Sequence, residues 1–238
     1  QFLYAGTHDN GLVQTNLNAP VFHEKTLKET FTINADTEQQ YVFHDQGFSI
    51  FRDNVQVKQV SLQSFKKFQQ QHAEKFKKHT VIENHFYPLD YNTPAEKIVF
   101  YSSQIYKNQI WAASNIGMFQ LDLHGEILTY HPVHIYYFTF FQDKLFTVVP
   151  YAGVRVFNNI HKMDYSYFHD WKNPDVPAEI VSVAQTRDAI YFASALSGLY
   201  EYKNGKFRSF LLDKSFTEPK LKRICTTQKG DLVVVTDY

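Results

Sequence analysis

The chain has 238 residues and equal numbers of Lys+Arg and Asp+Glu, 24 of each, so its formal net charge at pH 7 is zero. This balance gives no electrostatic case for binding nucleic acid or an anionic membrane surface. A single cysteine excludes an intramolecular disulfide and a thiolate-bound metal cluster. No apolar run reaches the ~18 residues of a membrane span, so we expect none within the chain.

A strand-like pattern recurs from the first residues onward. Each copy has an apolar run, a short polar stretch and a glycine that opens the next run, as in residues 3–7 followed by Gly11. Further copies begin at residues 40, 110, 145, 190 and 232. The equivalent glycines of the first five copies are Gly11, Gly47, Gly117, Gly153 and Gly198. Four short strands in each ~40-residue repeat are typical of a β-propeller blade.

We name the four strands of a repeat A to D. In the best-defined copy they are predicted at residues 178–186, 189–194, 198–202 and 206–211. The first copy begins in its B strand, and the last ends after its B strand. The sequence therefore predicts an all-β chain, a single β-propeller domain or fragment over residues 1–238. It would hold about six units of four-stranded antiparallel blades, two of them partial, from a larger propeller.

Residues 61–97 interrupt the period. Within them a helical pattern runs from 61 to 80, and we predict a helix over 62–79. Apolar residues share one of its sides, and lysines supply the other. The apolar residues are Leu62, Phe65, Phe68 and Phe76, and the lysines are Lys66, Lys67, Lys75, Lys77 and Lys78. The favoured interpretation is a surface helix packed on the propeller. A partner-binding or lid helix and a degenerate blade are the alternatives.

Antiparallel strands place the B–C and D–A connections on one face, where the long loops also fall. Loops on one end of a rigid scaffold often carry binding, so this face is the predicted ligand-binding face. Aromatic rings stack on sugars, while Asp, Asn and His bond their hydroxyls. The predicted ligand-binding residues are Trp171, His169, Asp170, His8, Asp9, His44, Asp45, Asn115 and Tyr151.

Catalytic and metal-binding patterns find little support. The His8-Asp9 and His44-Asp45 pairs contain residue types of a metal or general-base site, but polar loop tips are common in propellers. In a propeller glycosidase, catalytic carboxylates would point along the propeller axis from the A strands. The predicted A strands at 180–184 and 222–225 contain no Asp or Glu. We expect no cofactor and no enzymatic activity. Cys225 is predicted to be a small buried residue, and Trp111 an aromatic packed between blades.

The repeat resembles a known family at this level of detail. The two-component regulator propeller repeat is matched best by residues 3–7 with Gly11-Leu12. Two further copies are similar to it, namely residues 110–114 with 117–122 and residues 190–194 with 198–202. In that family such propellers form the periplasmic sensor region of hybrid histidine kinases of Bacteroidetes, many of which respond to oligosaccharides.

This resemblance implies a non-catalytic, ligand-sensing, extracytoplasmic domain of a two-component histidine kinase. The implied location is periplasmic, and the implied ligand is a small molecule or an oligosaccharide. Homodimerisation would occur through the parent receptor, whose membrane span and kinase would lie outside this sequence. A propeller that serves as a protein-interaction scaffold is the first alternative, and a carbohydrate-active enzyme is the second.

Overall fold

The computed structural model describes residues 2–7, 11–16, 22–24, 30–36, 38–76, 89, 91–149, 153–157, 180–195, 197–210, 220–227 and 231–237. The chain divides into two compact units, Gln1–His134 and Ile135–Tyr238.

The first unit contains three antiparallel sheets and one α-helix in its described residues. Its first sheet has three strands, and the other two sheets have four strands each. The strands are β1 Phe2–Thr7, β2 Gly11–Asn16, β3 Phe22–Glu24; β4 Thr30–Ala35, β5 Gln39–His44, β6 Gly47–Arg52, β7 Val55–Ser61; and β8 Phe100–Tyr106, β9 Gln109–Ser114, β10 Gly117–Asp122, β11 Ile127–His131. The helix α1 spans Leu62–Phe76, and a short 3-10 helix spans Ala95–Lys97.

The second unit also consists of antiparallel sheets whose strands follow chain order. Its strands are β12 Tyr137–Phe141, β13 Lys144–Val149, β14 Gly153–Phe157; β15 Ile180–Gln185, β16 Ile190–Ser194, β17 Gly198–Lys203, β18 Lys206–Phe210; and β19 Lys220–Thr226, β20 Leu232–Asp237. The best-defined copy of the repeat, β15 to β18, agrees with its predicted limits to within two residues at each end.

The sheets confirm the predicted repeat of A, B, C and D strands. The first sheet supplies B, C and D, and the last sheet supplies A and B, as expected from the sequence. Two sheets of the first unit and one of the second show all four strands. The fourth strand expected after β14 would lie in residues 158–179, outside the described residues.

The equivalent glycines occupy one position in the strand register. Each is the first residue of a C strand and lies opposite the last residue of its B strand: Gly47 faces His44, Gly117 faces Ser114, and Gly198 faces Ser194. Their φ angles are +130°, +126° and +92°, which side chains of L-residues rarely tolerate. The predicted equivalence of Gly117 and Gly198 is confirmed.

The A strands of neighbouring sheets lie side by side within each unit and are joined by polar side chains. In the first unit, the hydroxyl oxygens of Thr32 in β4 and Ser103 in β8 are 2.7 Å apart. In the second unit, the Ser182 hydroxyl of β15 accepts a hydrogen bond from the Ile224 N–H of β19 at 3.1 Å. Hydroxyl groups thus fix the spacing of adjacent A strands.

The predicted helix is confirmed for Leu62–Phe76, and the side that carries Phe65 and Phe68 faces inward, while the side chain of Phe76 lies outside the described residues. Phe65 is fully buried, and Phe68 packs against the same hydrophobic cluster while remaining partly exposed. The assignment of Lys66 to the polar side was wrong, because Lys66 is only 6% exposed. It lies four residues after Leu62, which places it on the buried stripe of the helix. Lys67 is exposed, as predicted.

The sequence also predicted that Trp111 and Cys225 are buried. Trp111 is 1% exposed, and its ring stacks on that of His131, close to the end of the same sheet, with centroids 5.7 Å apart, so its burial is confirmed. Cys225 is exposed, which corrects the prediction that it is buried. The alternation of β19 turns the neighbouring Ile224 into the hydrophobic cluster, so Cys225 lies on the opposite side, beside the exposed Val233.

Candidate functional site

Helix α1 lies on the predicted ligand-binding face, where it contacts the B–C turns of two neighbouring sheets. It begins directly after β7 because the Ser61 hydroxyl accepts the Ser64 N–H at 3.2 Å, as a helix N-cap does. The N–H of Leu62, the first helical residue, is donated to the Gln46 carbonyl at 3.3 Å. Gln46 belongs to the turn between β5 and β6, so the sheet holds the start of the helix.

Phe65 fixes the helix by entering an aromatic cluster formed by both sheets. Its ring centroid lies 5.1 Å from those of Phe100 and Phe119 and 6.4 Å from that of Phe43. The Phe100 and Phe119 contacts are edge-on, a favourable arrangement of aromatic rings. Phe43 belongs to one sheet, and Phe100 and Phe119 to the next. The helix therefore seals the junction between two blades at this face.

Two polar side chains of the same buried stripe, Lys66 and Gln69, attach the helix through a relay of hydrogen bonds. The Lys66 ammonium donates to the Gln69 side-chain oxygen at 2.8 Å and to the Tyr91 carbonyl. The Gln69 amide donates to the Ile116 carbonyl at 3.2 Å, and the Tyr130 hydroxyl donates to the same carbonyl at 2.7 Å. The relay thus joins α1 to the turn between β9 and β10.

His44, a predicted ligand-binding residue, is the last residue of β5, and its side chain is only 1% exposed. Its Nδ1 accepts the Gln46 N–H at 3.2 Å, so the ring proton of the neutral form is on Nε2. Nε2 lies 2.8 Å from the Ser49 hydroxyl and donates to it. Both ring nitrogens are therefore engaged within the β5–β6 hairpin.

Asp45 follows in the turn and is partly exposed, with a side-chain exposure of 26%. Its Oδ1 lies 3.7 Å from Nδ1 of His44 and is buried with no hydrogen-bond partner among the described residues. Burial lowers the pKa of His44 below its ordinary value, while the negative charge of Asp45 opposes that shift. His44 is therefore held in its neutral form at neutral pH.

Asn115 occupies the equivalent turn of the next sheet, between β9 and β10. Its side-chain oxygen accepts the Val99 N–H at 3.0 Å, and its amide donates to the Lys97 carbonyl at 2.8 Å. These two bonds clamp the segment that enters β8. The structure thus places His44, Asp45 and Asn115 on the same side of the first unit as α1, with His44 and Asn115 engaged in internal hydrogen bonds.

The last residue of the B strand has a repeated role in three sheets. Like His44, Ser114 accepts a turn N–H, that of Ile116 at 3.3 Å, and Ser194 accepts that of Ser197 at 3.0 Å. A side-chain acceptor at this position satisfies a donor that the tight turn leaves without a strand partner. Histidine at position 44 is the titratable version of a contact that serine makes elsewhere.

The other predicted site residues lie outside the described residues, so their role in ligand binding remains a prediction. They are His8, Asp9, Tyr151, His169, Asp170 and Trp171. Within the described part of the chain, no group of three metal-ligating side chains comes together. The five A strands β4, β8, β12, β15 and β19 contain no Asp or Glu.

Sequence reasoning missed the polar relay of Lys66 and Gln69. The spacing carried the information, because Leu62, Phe65, Lys66 and Gln69 follow the i, i+3, i+4, i+7 pattern of a buried helical stripe. A lysine and a glutamine at two of those positions indicate partners for their polar ends on the surface that the helix covers.

Strands in this order and register define the β-propeller class, and solved structures show the same fold. The extracellular domain of BT3049, described as a hybrid two-component system of B. thetaiotaomicron, matches 99% of this chain at 13% identity with a TM-score of 0.60. That of BT4673 from the same organism matches 100% at 13% identity with a TM-score of 0.58. This chain spans 30% of each of those two chains.

A second kind of propeller is equally similar in shape. The WD40 β-propeller domain of Doa1 matches 99% of this chain and 72% of its own at 8% identity, with a TM-score of 0.60. At such identities the likeness shows the fold alone, and at that level it agrees with the resemblance to the two-component regulator propeller. No family model and no curated protein matches the chain. In the described residues, no helix is long and apolar enough to cross a membrane.

Proposed function

We propose that this chain is part of the extracytoplasmic sensor region of a two-component histidine kinase, and that it binds ligand without catalysing a reaction. The observation that carries the proposal is that 99% of the chain superimposes on the extracellular domain of a hybrid two-component system. The repeat motif of residues 3–12 supports the same class independently of the superposition. In this proposal the domain lies in the periplasm, and its kinase lies outside the sequence.

The chemistry of the described residues favours binding over catalysis. The A strands, which would direct catalytic carboxylates along the axis of a propeller glycosidase, contain no Asp or Glu in β4, β8, β12, β15 and β19. His44 on the loop face is committed to the hydrogen bonds of its hairpin. A general base needs a ring nitrogen that can reach a substrate.

The proposed ligand is an oligosaccharide bound by the predicted ligand-binding loops. There Trp171 would stack on a sugar ring, and His169, Asp170, His8, Asp9 and Tyr151 would reach its hydroxyls. Asp45 and Asn115 lie on the same face in the first unit. Homodimerisation of the parent receptor would transmit binding to the kinase.

Phosphotransfer by the whole parent protein tests this function. Membranes containing it are incubated with ATP and a panel of oligosaccharides, and phosphohistidine is measured. We expect one class of glycan to change phosphorylation several-fold. A parent reading frame without a kinase, or a kinase indifferent to every glycan while the domain binds none of them, would contradict the proposal.

The likeness to the WD40 domain of Doa1 favours a second candidate, a protein-interaction scaffold. One fold hosts unrelated functions, and a propeller that binds another protein needs no small-molecule site. The two candidates differ in the parent protein. A parent without a membrane span or a kinase, and a partner protein that co-purifies at fixed stoichiometry, would support the scaffold.

A further inference from the structure

We propose that His44 and Asp45 form a proton-operated latch, which holds the start of α1 on the β5–β6 turn at neutral pH and loosens it when His44 takes up a proton. The latch would make the covering of this face by α1 sensitive to pH. It rests on the contacts of one turn and does not depend on the sensor function.

The polarity of one hydrogen bond makes the turn sensitive to a proton. Nδ1 of His44 accepts the Gln46 N–H at 3.2 Å, which requires a lone pair on that nitrogen. An imidazolium ring carries a proton on both nitrogens and accepts no hydrogen bond. Protonation therefore sets two donors, Nδ1–H and the Gln46 N–H, against each other, and the turn loses this bond.

Asp45 supplies the alternative partner. Its Oδ1 lies 3.7 Å from Nδ1 of His44, is buried, and has no hydrogen-bond partner among the described residues. A protonated Nδ1–H is attracted to this carboxylate oxygen by both charge and hydrogen bonding. The turn thus has two exclusive arrangements, and the proton on His44 selects between them.

The released group is directly connected to the helix. The carbonyl of Gln46 accepts the N–H of Leu62, the first residue of α1, at 3.3 Å. A shift of Gln46 on losing its bond to His44 therefore moves the acceptor that holds the helix. Leu62 and Phe65 keep their buried positions only while the first turn of α1 stays on the sheet.

Among the described side chains of α1, β6 and β7, none supplies a carboxylate in place of Asp45. On α1, the Lys66 ammonium is bonded to Gln69 and Tyr91, and Lys67 is exposed. On β7, Lys58 forms an ion pair with Glu126 of the next sheet. On β6, Arg52 is the last residue, whereas His44 lies opposite Gly47, the first.

The direction of the pH effect follows from the burial of His44. Burial lowers its pKa in the latched state below the ordinary value of 6.5, against the opposing charge of Asp45. The loosened state exposes the ring more and binds the proton more tightly. Acidification below pH 6.5 therefore shifts the population from latched to loosened, and a return to neutral pH restores the latch.

Hydrogen exchange of the complete 238-residue chain tests the latch. Exchange at amides in the first turn of α1 is measured from about pH 7.5 to about pH 5 and corrected for the intrinsic pH dependence of exchange. We expect it to rise by up to about tenfold per pH unit below the ordinary histidine pKa. Amides of β9 serve as an internal reference, because global unfolding would accelerate both segments. A pH-independent α1, or equal acceleration of α1 and β9, would overturn the proposal.

Two variants distinguish the contribution of His44 to the pH response from that of His72 in α1. His44→Asn keeps an acceptor near the Nδ1 position without a titratable proton, and Ser114 and Ser194 show that such acceptors support this turn. We expect it to abolish the acceleration of α1 in excess of that of β9. His72→Asn is the matched control, because Nδ1 of His72 donates to the Phe68 carbonyl at 2.8 Å, a bond that protonation leaves intact. It should retain the wild-type response, and a response that survives in His44→Asn would refute the latch.

Nitrogen NMR of wild-type His44 provides a test that does not depend on the folding of a variant. At neutral pH the ring should carry its proton on Nε2 alone. On acidification, Nδ1 should gain a proton in parallel with the faster exchange of α1. A ring protonated on Nδ1 at neutral pH would contradict the latched geometry.

Discussion

At the scale of single residues, Gly47 and Gly117, which open two of the C strands, are constrained by contact as well as by backbone angle, whereas Gly198 is constrained by its angle alone. A Cβ at Gly117 would lie 2.5 Å from the Tyr130 ring and 2.8 Å from the His131 carbonyl, whereas a Cβ at Gly205 would meet nothing within 4 Å. Their φ angles are +126° and +77°. A substitution of glycine by alanine therefore adds both backbone strain and a close contact at position 117, but only backbone strain at position 205.

We expect Gly117→Ala to lower the free energy of unfolding by about 3–5 kcal/mol, because backbone strain and overpacking add. Gly205→Ala carries only the strain, about 1–2 kcal/mol. Urea unfolding of both variants measures the difference. Equal losses would show that the close contact at Gly117 is relieved by movement of Tyr130.

The two tryptophans offer a second contrast between single residues. Trp111→Ala should cost about 3–5 kcal/mol of stability, because this ring is 1% exposed within the first unit. Trp171→Ala should weaken the binding of oligosaccharide and leave the melting temperature nearly unchanged, since we propose that Trp171 stacks on ligand. Calorimetric titration of a glycan panel and thermal unfolding measure both effects. Unchanged affinity in Trp171→Ala would favour the scaffold hypothesis.

At the scale of elements, α1 depends on a buried lysine beside an exposed one. Lys66→Ala removes the donor to Gln69 and to the Tyr91 carbonyl, and a lost buried hydrogen-bond partner costs about 1–3 kcal/mol. Lys67→Ala, one residue further on the exposed side, should change stability by less than about 0.5 kcal/mol. Chemical denaturation of the two variants gives the comparison. A neutral Lys66→Ala would mean that the relay does not stabilise the helix.

Elements were more predictable from the sequence than the environments of their side chains. The B–C hairpins could be located because a positive φ at Gly47 or Gly117 is a local requirement, which the spacing of glycines reveals. The burial of Lys66 was readable from its place on the i, i+3, i+4, i+7 stripe of α1, whereas the exposure of Cys225 depends on what covers its side of β19, and no local pattern contains that information. His44 and Asn115 were predicted to face ligand, and in the structure both bond within the protein. The sequence does not distinguish these two roles, because polar residues occur in turns whether they bind ligand or backbone.

At the scale of the whole molecule, buried histidines predict a loss of stability in mild acid. Burial lowers the pKa of His131 from its ordinary 6.5 to about 4, and burial lowers that of His44 as well. A group with a depressed folded-state pKa binds fewer protons in the folded than in the unfolded chain. The stability is therefore present above pH 6.5 and is lost as the pH falls toward 4.

For His131 alone, this linkage predicts a loss of about 2 kcal/mol between neutral pH and about pH 5. Urea unfolding of the whole chain at the two pH values measures it, and His131→Asn should remove part of the dependence. Stability that stays constant over this range would show that the His131 ring is accessible to water in the folded state.

At the last residue of three B strands, the side chain differs while the hairpin stays the same. His44, Ser114 and Ser194 hold similar turns with the same backbone register, although one side chain titrates and the other two do not. A single codon change at this site can therefore alter how a blade responds to its surroundings without redesigning the hairpin. A substitution of serine by histidine at this position would place a proton-responsive turn in another blade.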